Sequence, residues 1–135
     1  MIDFLDEGKT VFLIDDDTAL LELFCEVLSD YGYQVRTATN GQFALRSIRQ
    51  TVPDLVILDL TLPGMNGVEI YKELQRDEST RKIPVIFMSG VDPNTESDFT
   101  IFNDCDYLLK PVDCHRLFHH INRAFKKEAF GKKKV

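Results

Sequence analysis

Long apolar runs are missing from this 135-residue chain, and with them any helix able to cross a membrane. The opening residues, MIDFLDEGKT, lack the basic-then-apolar order of a secretory leader, so the chain is expected to be cytoplasmic. A basic surplus is missing too. Sixteen Lys and Arg stand against 22 Asp and Glu, and the net charge of −6 argues against direct nucleic-acid binding while suiting a cation site. Cysteine is scarce and odd in number. Cys25, Cys105 and Cys114 show no CxxC spacing, which argues for reduced thiols with a small apolar packing role, not a disulfide framework or zinc site. No glycine-rich loop opens a helix, so Gly64 and Gly67 read as turn glycines and not as a phosphate cradle. Internal repeats, low-complexity segments and a second domain are absent as well. What remains is an ordinary globular composition, 44% hydrophobic and 28% charged, long enough for one substantial core.

The chain alternates between two periodicities. Thr10 to Ile14 form an apolar strand ending in Asp15-Asp16-Asp17. Leu20, Leu21, Phe24, Val27 and Leu28 then recur at helical spacing, with Asp17 or Thr18 as the cap and Gly32 as the breaker. Tyr33 to Thr39 alternate like a strand, and Asn40-Gly41 opens a second helix carrying Phe43, Ala44, Leu45 and Ile48. Pro53 closes that unit. A third helix spans 67 to 77, a fourth strand spans Val85 to Met88, and a short strand from Tyr107 to Leu109 leads into a last helix from Val112 to about Phe130. Five such alternations imply a parallel sheet between two helical layers, joined by right-handed crossovers. The expected organisation is a lead-in over 1–9, one domain over 10–130 and a basic tail over 131–135.

The segment DLVILDLTLPG, Asp54 to Gly64, is the centre of the pattern. Its apolar run ends abruptly at Asp59, and turn residues follow. In open α/β sheets such strand ends border the ligand site. Alone, a carboxylate there would most simply cap a turn. It is not alone: other strands end at Asp15 and Asp16, at Ser89 and at Lys110, and a parallel sheet brings these ends to one edge. Carboxylates forced together raise one another's pKa unless a cation neutralises them, and oxygen ligands with room for water suit Mg²⁺. Metal, carboxylate nucleophile, hydroxyl and lysine are the parts of a phosphoryl-transfer site.

In that order, LIDDD, VILDLTLPGMNG, VIFMSG and YLLKP resemble the receiver domain of two-component response regulators, and the likeness covers nearly the whole chain. The resemblance implies a CheY-like, flavodoxin-like doubly wound sheet of five parallel strands, in the order 2-1-3-4-5, with helices on both faces. It further implies Asp59 as phosphoacceptor, with Mg²⁺ or Mn²⁺ held by Asp15, Asp16, Asp59 and the backbone carbonyl of Thr61. Ser89 and Lys110 would contact the phosphoryl group, Tyr107 would turn inward with the hydroxyl, and the Lys110-Pro111 bond would be cis and help aim the lysine. The implied partners are a sensor histidine kinase or phosphotransfer protein upstream, and a protein target or output domain downstream. Such a chain is a switch, not an enzyme, supporting only its own phosphorylation and dephosphorylation. It would be either a stand-alone receiver or a fragment of a larger regulator or hybrid kinase.

Several features stand outside that core. Asp17 matches no ligand position and reads as a helix-start carboxylate. His115 and His119 lie four apart but off the apolar stripe of the last helix, which makes them a solvated face. Thr61 and Val91 are expected to shape access for a hydrolytic water. From Ser89 to Lys110 is 21 positions (110 − 89), one fewer than is common in the family, and NTESDFTIFNDCD has few helix-period apolar residues. A helix over Thr95 to Cys105 is therefore expected to be short, displaced or irregular, with Phe99 and Phe102 hard to place. One rival reading is a haloacid-dehalogenase-type phosphatase with Asp15 as nucleophile, since LIDDDTAL resembles its DxDxT motif; Thr18 falls one position too early for it. The other is a receiver-shaped binding module that is never phosphorylated. A flavin site would rest on the fold alone.

Overall fold

The computed structural model describes residues 8–92 and 105–133, with side-chain surroundings through Lys126. Strands β1 (Thr10–Ile14), β2 (Gln34–Ala38), β3 (Leu55–Leu58), β4 (Val85–Ser89) and β5 (Asp106–Leu109) form one sheet in the order β2-β1-β3-β4-β5, every pairing parallel. Helices α1 (Thr18–Asp30), α2 (Gly41–Gln50), α3 (Gly67–Arg76) and α4 (Cys114–Lys133) are the helices among the described residues. The expected topology is the one observed. The expectation about residues 95–105, including Phe99 and Phe102, lies outside the described residues apart from Cys105.

Residues 55–58 and 85–89 are buried on both faces, which is why β3 and β4 read as continuous apolar runs without alternation. One face of the sheet buries Phe12, Ile14, Val56, Leu58 and Phe87 against α2 and α3. The other buries Val11, Leu13, Ile57, Ile86 and Met88 against α1 and α4. The strand β2 is less covered, and its one buried residue is Ala38.

Local chemistry sets the helix starts. Asp17 accepts the Leu20 N–H, Asn40 that of Phe43, Asn66 that of Glu69 and Asp113 that of Arg116, each satisfying a first-turn donor. Between the two candidates at α1, Asp17 is the cap. Helix α4 begins two residues later than expected, because Asp113 caps it. It runs to Lys133, past the expected end near Phe130 and through Gly131.

Candidate functional site

Four strand ends meet at the carboxyl edge of the sheet. The register pairs Ile14 with Leu58, Leu58 with Phe87 and Ser89 with Leu109, so the residues that follow β1, β3 and β5 emerge side by side around Ser89. Backbone bonds fix the first steps out of the sheet. The Asp15 N–H donates to Ala38 O, that of Asp59 to Ile14 O and that of Lys110 to Ser89 O.

Carboxylate oxygens of Asp15, Asp16 and Asp59 all lie within 4.8 Å of one another. Asp15 and Asp59 are buried, at 1% and 4% exposure, whereas Asp16 is open to solvent. Each buried carboxylate is oriented by a backbone N–H two residues on: Asp17 donates to Asp15 Oδ1 at 2.9 Å and Thr61 donates to Asp59 Oδ1 at 3.1 Å. Their other oxygens face Lys110, whose Nζ is 2.7 Å from Asp15 Oδ2 and 3.3 Å from Asp59 Oδ2. Asp15 Oδ2 nevertheless makes no hydrogen bond of acceptable angle, although it is shielded from water. Of the two descriptions the ion pair decides the energetics, because at 2.7 Å charge attraction persists whatever the donor angle.

Burial pushes the Asp15 carboxyl up from its ordinary value and the Asp59 charge adds to that push; the Lys110 ammonium 2.7 Å away and the Asp17 N–H oppose both. Burial works against the charge on Lys110, yet the close Asp15 carboxylate, reinforced by Asp59, prevails and holds the ammonium above its ordinary value. The site thus has a firmly cationic lysine and a carboxylate whose charge is costly. Hard oxygen donors, a buried carboxylate oxygen without a proper hydrogen bond and more negative than positive charge together fit a small divalent cation.

Ser89 is buried and its hydroxyl accepts the Val91 N–H at 3.4 Å. The carbonyl of the same Val91 accepts the Tyr107 hydroxyl. Ser89 and Tyr107 are therefore joined through one backbone unit. Thr61 is exposed at the start of the β3–α3 loop, and the Lys110–Pro111 peptide is cis, as expected.

Gly67, expected to be a turn glycine like Gly64, has a different role. Gly64 is a turn glycine with φ of +77°, but Gly67 is the first residue of α3 and is required for another reason. A Cβ there would collide with the Asp59 carbonyl oxygen and stand 2.8 Å from Leu60 Cα. Its N–H also donates to Leu60 O at 2.8 Å. The start of α3 is pressed onto the backbone of Asp59, and spacing alone gives no signal of that. Asp106 was also missed: its carboxylate meets His120 Nδ1 at 3.0 Å and Arg123 at 3.5 Å, tying β5 to α4. His115 and His119 are exposed, as expected, and Cys25, Cys105 and Cys114 are free and half-buried.

These features define a class, the doubly wound parallel α/β proteins with an acidic site and a lysine at the carboxyl edge. Residues 11–122 match the response regulator receiver domain family. Protein PilH of Pseudomonas aeruginosa is 34% identical over 113 residues, covering 83% of this chain and 93% of PilH. The phosphate regulon transcriptional regulatory protein PhoB of the same organism is 32% identical over 92% of this chain, which spans only 55% of PhoB. Among solved structures, the response regulator TrrA of Thermotoga maritima in complex with Mg²⁺-BeF superposes with a TM-score of 0.75 at 27% identity, covering 86% of this chain and 98% of TrrA. A CheY-like receiver domain protein of Methanospirillum hungatei gives a TM-score of 0.83 at 25% identity, covering 93% of this chain and 99% of that one. The chain belongs to the response regulator receiver domain family of two-component systems. Among the described residues no helix is long and apolar enough to cross a membrane.

Proposed function

We propose that this chain is a phosphorylatable switch, taking a phosphoryl group onto Asp59 from a phosphohistidine of a sensor kinase or phosphotransfer protein. The observation that carries the reading is the position of Asp59. It is buried at the end of β3, held by the Thr61 N–H on one oxygen and facing the Lys110 ammonium with the other. An Asp59 oxygen attacks phosphorus, the P–N bond breaks, and the imidazole departs with that electron pair and accepts a proton. Hydrolysis later cleaves the acyl phosphate when water attacks phosphorus, returning the carboxylate.

Lys110 and the Ser89 hydroxyl are suited to the developing charge on the phosphoryl oxygens. Asp15, Asp16, Asp59 and the Thr61 carbonyl would hold Mg²⁺ or Mn²⁺, which supplies charge neutralisation between acceptor and phosphoryl oxygens when bound. TrrA, solved with Mg²⁺-BeF, supports that choice by analogy. Tyr107 and Ser89, already linked through Val91, would report phosphorylation to the β5 edge and so to a docking partner or output domain. A cytoplasmic location fits this reading. Phosphatase turnover with Asp15 as nucleophile is disfavoured, because Thr18 falls one position too early for the DxDxT pattern of that chemistry.

The test is intact mass after incubation with a small acyl-phosphate donor, with and without Mg²⁺. The reading requires a Mg²⁺-dependent adduct of one phosphoryl group that is lost in Asp59→Asn. An adduct retained in that variant moves the acceptor elsewhere, and no adduct from any donor or phosphohistidine leaves the unphosphorylated binding module.

A further inference from the structure

Helix α2, GQFALRSIRQ, carries two arginines and no acid in a chain whose net charge is −6. Its outer side is exposed, and Phe43 keeps half its surface, 51%, in solvent. Between α2 and α3 runs an open groove of about 520 Å³. Leu45 and Met65 line its floor, and Gln42, Arg46 and Arg49 rise from α2 opposite Glu73 of α3. The two helices come close here because Gly41 has no side chain; a Cβ would stand 2.8 Å from Ile70 Cδ1 and 3.0 Å from Met65 Cβ.

The charges across this groove are unbalanced. Glu73 is shared between Arg49, at 3.4 Å, and Arg76, while Arg46 makes no ion pair among the described residues. Two guanidinium groups, those of Arg46 and Arg49, thus line the groove with the one carboxylate of Glu73. The groove is also preformed: Arg36 donates to Ser47 O at 2.7 Å and to Thr51 O at 2.6 Å, which locks the carboxyl end of α2 onto β2. None of this serves the acidic edge of the sheet.

We propose that the α2–α3 groove docks an amphipathic helical segment of a partner protein, apolar along one side and acidic along its flank. Apolar side chains would seat on Met65 and Leu45, and the flanking carboxylates would meet Arg46 and Arg49, the usual arrangement of a helix laid in a groove. Methionine on the floor suits a surface that must adapt to its guest. Nucleic acid is the poorer guest, because Glu73 lines the groove and the chain as a whole repels phosphates. A second copy of this chain could offer the acidic side of α1, where Glu22, Glu26 and Asp30 flank the exposed Leu23, but two chains of charge −6 repel each other.

The experiment is a ¹⁵N NMR titration of the full chain with two synthetic amphipathic peptides, one of leucine and glutamate and one with lysine at every glutamate. The glutamate peptide should give saturable shifts at the amides of Phe43, Arg46, Gln50 and Met65. The double variant Arg46→Glu, Arg49→Glu should weaken binding about tenfold or more. Asp59→Asn should bind as wild type does, which separates this site from the phosphoryl switch. Equal binding of the lysine peptide, shifts centred on α1 or the acidic edge, or no saturable shift at millimolar peptide would each overturn the proposal. Self-association that is lost in the arginine double variant would overturn it too, by giving the groove to a second copy.

Discussion

Lys110 Nζ sits nearer to Asp15 Oδ2, at 2.7 Å, than to the proposed acceptor Asp59, at 3.3 Å. The lysine is thus parked on the carboxylate that the proposed chemistry leaves unchanged, within a short swing of the proposed acceptor oxygen. That one relationship ties the stability of the site to its chemistry.

Removing the lysine should therefore damage both. Lys110→Ala leaves two buried carboxylates facing each other, and the metal-free chain should lose roughly 1–3 kcal/mol, below the cost for a fully buried pair because water reaches the lysine. Phosphorylation from a small donor should slow by about a hundredfold or more, the usual consequence of deleting one preorganised donor. Urea denaturation and the rate of adduct formation are the two readouts. A variant of unchanged stability would mean that Asp15 does not depend on the lysine.

Asp15 carries a pH dependence whose sign can be worked out. Its carboxyl is raised, so the folded state binds this proton more tightly than the unfolded state does. The resulting stability is fully present below the ordinary value of 3.8, is lost as pH rises through the folded value, and is replaced by a penalty above it. Without divalent cation, Asp15→Asn should accordingly stabilise the fold at neutral pH, since asparagine can still accept the Asp17 N–H. Mg²⁺ should raise Tm of the wild type much more than that of the variant. A variant less stable than wild type without metal would show that attraction to Lys110 outweighs burial.

Much of this was legible in the sequence. Five apolar runs separated by helical periods imply the parallel sheet, while its strand order comes from the resemblance to receiver domains; the acidic edge follows from where those runs stop, at Asp15, Asp59, Ser89 and Lys110. Helix ends were less legible: Asp113, not Val112, sets the start of α4, because a side-chain cap outweighs apolar spacing. Close packing left no trace at all. Gly67 looks like its neighbour Gly64 in the sequence, yet one serves a turn and the other a backbone contact between elements. The Asp106–His120 pair is similarly hidden, since its partners are 14 residues apart on different elements.

Gly67→Ala tests that contact. The added methyl must displace the Asp59–Leu60 backbone or tilt the start of α3, and overpacking of this kind costs about 1–3 kcal/mol. Tm should fall, and the amide resonances of Asp59 and Thr61 should move more than those of distant strands. An unchanged Tm with unmoved resonances would contradict the close approach.

Tyr107→Phe isolates the link from Ser89 to β5. Losing the hydroxyl leaves the Val91 carbonyl without that donor, at a cost of about 1 kcal/mol. Adduct formation should change little, because the Tyr107 hydroxyl is engaged by the Val91 carbonyl, while the amides of Val91 and Leu108 should shift. A large drop in adduct formation would instead place the tyrosine in the phosphoryl chemistry itself.

The central claim is that Asp59 is the acceptor, and chemical trapping reads this directly. Borohydride reduces an aspartyl phosphate to homoserine, leaving a permanent mass change at the residue that carried the phosphoryl group. After phosphorylation with a small donor and Mg²⁺, peptide mapping should find that change at Asp59 and at none of Asp15, Asp16 or Asp17. Homoserine at Asp15 would contradict the account and restore the phosphatase-like reading of the first strand.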